Sequence, residues 1–134
     1  MSDSIKKTLT YASLILAGGS VYVLIEILFR GYSHISMFAV GGLCLLLIDL
    51  ADNTFGELGL IPKALIGGLI ISATELVAGI ILNLFMGLGV WDYSELRFNL
   101  LGQICPQFSL IWVVLSIPAL YLARVIRYYT APTE

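Results

Sequence analysis

Residues Pro62–Met86 read PKALIGGLIISATELVAGIILNLFM, an unbroken apolar run holding a single acid, Glu75. A run of this length matches the roughly 17–25 residues that a helix needs to cross the hydrocarbon core of a bilayer. Pro62 suits the first helical turn, where its missing N–H costs nothing. Three further apolar runs flank it, at residues 8–29, 35–50 and 106–126, the second of them short and the fourth interrupted by Pro118. A proline inside a helix removes one backbone donor, so a kink is expected there. The runs are continuous rather than alternating, which argues against a β-barrel. The expected fold is all-α: a polytopic membrane protein with four transmembrane helices in one domain over residues 1–134.

Composition agrees. Of the 134 residues 59% are hydrophobic and only 12% charged, whereas a soluble domain carries about 25% charged residues. A soluble core of this size cannot hide that much apolar surface, so the lipid bilayer is the expected partner. The net charge is −2, and no basic run points to nucleic acid. Lys6 and Lys7 before an apolar run resemble the start of a signal peptide. The run continues to Phe29 without a small-x-small cleavage site at signal length, so it is read as a mature span. Cys44 and Cys105 lie in or beside apolar stretches and are read as small buried residues without a disulfide. His34 is the single histidine and no CxxC occurs, so no metal site and no cofactor are expected. No phosphate-binding lysine loop, nucleophile elbow or zinc-protease motif is present. The chain is therefore not expected to be an enzyme.

Basic residues near span ends set orientation. With four spans, Lys6, Lys7, Lys63, Arg124 and Arg127 fall on one side and Arg30 and Arg97 on the other. The expected location is the plasma membrane with both termini cytoplasmic. Asp49, Asp52, Asn53 and Glu57 would form an acidic, solvated loop on the inner side. They lack the calcium-loop pattern.

The polar residues within the spans carry the functional signal, because a carboxylate in lipid is expensive and usually faces protein or water. Gly68, Ser72, Glu75, Gly79 and Asn83 recur at helical spacing and define one small, polar stripe. The stripe either packs with Glu75 hydrogen-bonded inside the bundle or lines a site. Glu26 lies about one turn from the end of its span, and Arg30 four residues on is placed for a helical ion pair. Tyr11, Gly18, Tyr22 and Glu26 nevertheless share a face. Ser109, Trp112, Ser116 and Ala119 repeat the spacing in the last span and read as helix packing. Gly18-Gly19 precedes Glu26 at the same interval as Gly67-Gly68 precedes Glu75, the pattern of a parallel repeat of two hairpins.

Between the third and fourth spans lies GLGVWDYSELRFNLLGQIC, residues 87–105. Asp92 and Glu95 have capping-box spacing, and Trp91 and Leu96 stand where a hydrophobic staple would. A short amphipathic or re-entrant helix is expected over about 92–103. It would either lie at the interface, anchored by Trp91 and Tyr93, or dock and help form a site. Asp92, Glu95, Arg97, Asn99 and Gln103 are too scattered for one wet face. Docking is expected to bring Arg97 to Glu26 or Glu75 and to turn the amides onto backbone groups.

The stretch Trp91-Asp92-Tyr93-Ser94, with Phe98-Asn99, Gly102, Ile104-Cys105, Ser109 and Trp112, resembles the signature of the ABC-transporter type IV family, also called CmpB-like. Thr74-Glu75 with Gly79 is similar to an element in that family's preceding span, as is an acid late in the first span, here Glu26. The resemblance covers about residues 20–113. After the first span this chain has Arg30-Gly31 followed by Tyr-Ser-His, without the prolines many members carry. The resemblance favours a site-forming role for the segment after Trp91. It implies a membrane transport or channel-like protein whose polar cavity is built by Glu26, Glu75, Trp91, Asp92, Tyr93, Arg97, Asn99 and Gln103. Glu75 would bind a small cationic solute or carry a proton. Four short spans enclose little space, so a homodimer is expected. The alternative is a non-catalytic subunit or scaffold packed against a larger complex.

Overall fold

The computed structural model describes residues 2–131. Its elements are four long helices: α1 (Asp3–Arg30), α2 (Ile35–Thr54), α3 (Leu60–Gly79) and α4 (Pro106–Thr130). A π-helical stretch, Ile80–Phe85, extends α3 without a break, and no strand occurs among the described residues. All four helices are long and apolar enough to cross a membrane, the third counted as Leu60–Phe85. They run a few residues beyond the apolar stretches of the sequence. The difference is largest for α1, which begins at Asp3 rather than Thr8, and α2 continues past Leu50 to Thr54. The expected helix over 92–103 is not formed; turns occupy this segment instead.

Helix ends follow from local chemistry. Ser2 accepts a hydrogen bond from the Ile5 N–H and caps α1, satisfying one of the donors that every helix N-terminus leaves open. Gly31 ends the same helix at φ 80° and bonds back to the Ile27 carbonyl, a conformation that glycine adopts without steric cost. His34 caps α2 through its Nδ1, which accepts from the Ser36 N–H.

The chain divides into two compact units. One comprises residues up to Gly56 together with those from Pro118 onward; the other is Glu57–Ile117. Helix α4 is continuous through Pro118 and contributes one half to each.

In the first unit α1 and α2 pack through small residues. A Cβ placed on Gly18 would lie 2.6 Å from both the Gly41 carbonyl oxygen and the Leu45 Cβ. Only glycine permits that approach, the device by which membrane helices gain packing where no hydrophobic force drives them together. Leu14, Leu45 and Ala123 form the buried centre, with Ala17, Leu46, Ala119, Leu122 and Ile126 around it. At one end, Asp49 and Asp52 meet the last turns of α4. Arg127 holds Asp49 through both carboxylate oxygens at 3.0 and 2.5 Å. Arg124 holds Asp52 in the same way at 2.9 and 3.0 Å. The expectation of a solvated acidic loop is corrected for Asp49 and Asp52, while Asn53 and Glu57 are exposed. Asp49 is 2% exposed, and both aspartates belong to the last turns of α2, because two arginines neutralise them and let the helix continue. Thr10 and Thr130 add a hydroxyl–hydroxyl bond of 2.9 Å.

In the second unit the glycine of the apparent repeat does similar work. A Cβ on Gly68 would overlap the Val113 side chain, so α3 and the first half of α4 also touch through a missing side chain. Cys105 here, like Cys44 in the first unit, is buried.

Candidate functional site

The stripe on α3 faces inward. Gly68, Ser72, Glu75 and Gly79 are all buried, and Glu75 is 1% exposed. A charged-type side chain so deeply placed needs partners, and two neutral donors are among them. Trp112 Nε1–H on α4 donates to Glu75 Oε1 at 2.6 Å. The Tyr93 hydroxyl, from the loop, donates to Oε2 at 3.1 Å. One helical turn before Glu75, the Ser72 hydroxyl meets that of Ser109 at 2.7 Å.

Aromatic packing holds both donors. The Tyr93 ring stacks on Phe108, with centroids 4.7 Å apart and planes at 6°. Phe108 in turn lies tilted against Trp112 at 6.2 Å. Such contacts favour a defined ring orientation, so the hydroxyl and the indole N–H are held toward Glu75. Trp112 is further fixed from its own helix, where Ser116, fully buried, donates to the Trp112 carbonyl at 2.7 Å.

The next two turns of the stripe position the loop. Gly79 closes α3 where a Cβ would collide with the Gln103 side chain, so the glutamine lies directly on the helix backbone. Gln103 Oε1 accepts from Asn83 Nδ2 at 2.8 Å, and Asn83 Oδ1 accepts from the Val90 N–H at 2.6 Å. Asn83 sits in the π-helical stretch. Single π turns inside helices occur frequently at functional sites.

The loop itself is built from local side-chain-to-backbone bonds. Asp92 Oδ1 accepts from the Ser94 N–H at 2.9 Å, a two-residue Asx turn rather than the expected capping box. Asn99 Nδ2 donates to the carbonyls of Ser94 and Leu96, and its Oδ1 accepts from the Gly102 N–H. Phe98 and Leu101 take positive φ, 58° and 56°. Residues of this kind offer the backbone an alternative to the helix, which is why the amphipathic helix does not form. Asp92 is exposed, and its carboxyl titrates below the usual range because the Ser94 hydroxyl and the Ser94 N–H both stabilise the anion.

The structure thus brings Glu75, Tyr93 and Gln103 into one buried arrangement, with Trp91 beside it donating its indole N–H to the Gln103 carbonyl at 3.0 Å. Asn99 supports the loop from within. Arg97 does not join. It is exposed and forms no ion pair with Glu75, whose oxygens face Trp112 and Tyr93. Glu26 takes the local alternative: Arg30 approaches it at 2.6 Å and Ser33 donates to it at 2.8 Å. Arg30 also lies over the Tyr32 ring at 4.6 Å. The expected pairing of Arg97 with a glutamate is corrected, because each carboxylate is served by nearer groups.

Phe108 and Trp112 were not among the expected site residues, although Trp112 belongs to the family signature. The signal for Trp112 was present in its spacing with Ser109 and Ser116, which reads equally well as packing. Its meaning depends on Glu75 lying opposite.

Four membrane-length helices define the class: an all-helical, multi-pass membrane protein. The family model described as "Putative ABC-transporter type IV" matches residues 11–131. The chain belongs to that family. No curated protein and no solved structure matches it.

Proposed function

We propose that this is a small transport or channel-like membrane protein in which Glu75 is the intramembrane proton-carrying group. The observation that carries the reading is the arrangement at Glu75, 1% exposed with Trp112 on one oxygen and Tyr93 on the other. Indole N–H can only donate, so Oε1 remains an acceptor in every protonation state. A hydroxyl can donate or accept, so Oε2 can take a proton while the Tyr93 O–H rotates to receive its hydrogen bond. A metal cation on this carboxylate would instead face two donor hydrogens. The geometry therefore favours a proton over a small cationic solute. The family's description as a transporter supports the same reading.

In this reading the protein sits in the plasma membrane as a homodimer with both termini cytoplasmic. Cysteine labelling in intact cells tests the orientation; tags at both ends reached by an impermeant reagent from outside would reverse it. The function is tested with purified protein in liposomes holding a pH-sensitive dye, under an imposed potential. Wild type is expected to move protons, Glu75→Gln to abolish the flux and Tyr93→Phe to slow it. Full flux in Glu75→Gln would overturn the role of Glu75. No flux from wild type would assign the chain to the alternative, a subunit of a larger assembly.

A further inference from the structure

The loop between α3 and α4 turns several of its polar side chains onto its own backbone. Asp92, Asn99 and Gln103 spend their side chains on the loop's own backbone: on the Ser94 and Gly102 N–H groups and on the Ser94, Leu96 and Leu101 carbonyls. The main chain closes on itself as well. Tyr93 N–H donates to Gly102, Leu100 N–H to Ile104 and Gln103 N–H to Leu100. The two rings that would have served as headgroup anchors point inward, Trp91 being 7% exposed and Tyr93 bonded to Glu75.

One part of the outside is apolar, next to the exposed Asp92, Ser94, Glu95 and Arg97. Phe98 is 84% exposed, Leu101 59% and Leu100 50%. Phe98 and Leu101 hold positive φ, an uncommon conformation for bulky residues. The folded loop accepts that strain and still leaves both side chains uncovered. Arg97, exposed, directly precedes Phe98.

We propose that this loop inserts its apolar tip, Phe98, Leu100 and Leu101, into the acyl-chain region of the bilayer, with Arg97 at the level of the lipid phosphates. Non-helical backbone is tolerated at membrane depth only when its polar groups are satisfied within the protein, and the Leu100 N–H, the Leu100 carbonyl and the Leu101 carbonyl are bonded within the loop. Both ends of the loop issue from membrane-length helices, so the tip has only a short way to reach lipid. Arginine next to an apolar tip suits the boundary, since its guanidinium pairs with phosphate while its stem lies along hydrocarbon. The same placement gives the Arg97 charge a partner that neither glutamate provides. Insertion would hold the loop, and with it the Tyr93 hydroxyl, against α3.

The test is spin-label accessibility in liposomes on the full chain with Cys44 and Cys105 replaced by alanine. Labels are placed at Phe98→Cys and, separately, at Leu101→Cys; Glu57→Cys, on the exposed turn before α3, is the water-facing control. Collisions with oxygen, which concentrates in lipid, are compared with those of a water-soluble nickel chelate. Insertion predicts oxygen collisions several-fold above nickel at 98 and 101, and the reverse at 57. Nickel-dominated collisions at 98 and 101 would place the tip in water and overturn the proposal. Low collisions with both reagents would overturn it too. Spin–spin broadening that disappears on dilution with unlabelled protein would then identify a second copy as the cover.

Discussion

Trp112 and Glu75 are joined by a 2.6 Å hydrogen bond from indole N–H to carboxylate, inside a unit where the glutamate is 1% exposed. The bond sets which oxygen of Glu75 is permanently an acceptor. It also makes the tryptophan, which resembles a packing residue in the sequence, a chemical partner of the acid.

Trp112→Phe keeps a ring in place and removes the donor. Leaving a buried acceptor without its partner costs about 1–3 kcal/mol, so a clear fall in thermal midpoint is expected in detergent. Glu75→Gln should be far milder, because the amide oxygen can accept from Trp112 and the amide nitrogen can donate to Tyr93. A Gln variant as unstable as Trp112→Phe would contradict this pairing.

The two arginine–aspartate pairs at the end of the first unit should differ in weight. Asp49 has 3% of its side chain exposed and Arg127 35%, whereas Arg124 is 42% exposed against Asp52. Removing one partner of a fully buried pair costs about 3–5 kcal/mol, and an exposed pair is worth about 0–1 kcal/mol. Arg127→Ala is therefore expected to cost about 2–3 kcal/mol, discounted for its partial exposure, and Arg124→Ala less than about 1 kcal/mol. Unfolding midpoints of the two variants in the same micelles decide the order.

Gly79→Ala should loosen the loop without breaking α3. The added Cβ collides with Gln103, whose Oε1 holds Asn83. Overpacking of this kind costs about 1–3 kcal/mol. Hydrogen exchange should rise across residues 87–105 while α1 and α2 keep their protection. Uniform loss of protection throughout the chain would show that the effect is global.

Acid should open the loop at Asp92. Its carboxyl titrates below the ordinary value, through the Ser94 hydroxyl first and the Ser94 N–H second. A group whose pKa is lowered by folding adds stability above its unfolded value, near 3.9, and loses it as pH falls through the lowered folded value. Trp91 fluorescence should stay flat from neutral pH to about 5 and change only below about 4. Asp92→Asn, which can still accept from Ser94, should remove the part of that change due to this residue.

The sequence alone determined the solvent and the spans. Runs such as Pro62–Met86 are too long and too apolar for a water-soluble core, and lipid forces a continuous helix because no water is there to satisfy the backbone. The inward face of α3 was also legible, since 3.6-residue periodicity puts Ser72, Glu75 and Gly79 on one side whatever lies opposite. What lay opposite was decided by tertiary structure. Whether Trp112 packs or donates depends on which residue the facing helix brings within 3 Å, and spacing along one chain holds no such distance. The segment after Trp91 shows the same limit from the other direction. Its capping-box spacing satisfies a local helix rule, yet Asp92 and Asn99 bind the backbone at short range, and docking of Tyr93 on Glu75 and of Gln103 on Gly79 favours the folded loop. Asp49 and Asp52 complete the contrast. An acidic cluster after an apolar run reads as a solvated turn until two arginines from 72 and 78 residues away arrive to neutralise it, and long-range charge pairing leaves no mark in local sequence.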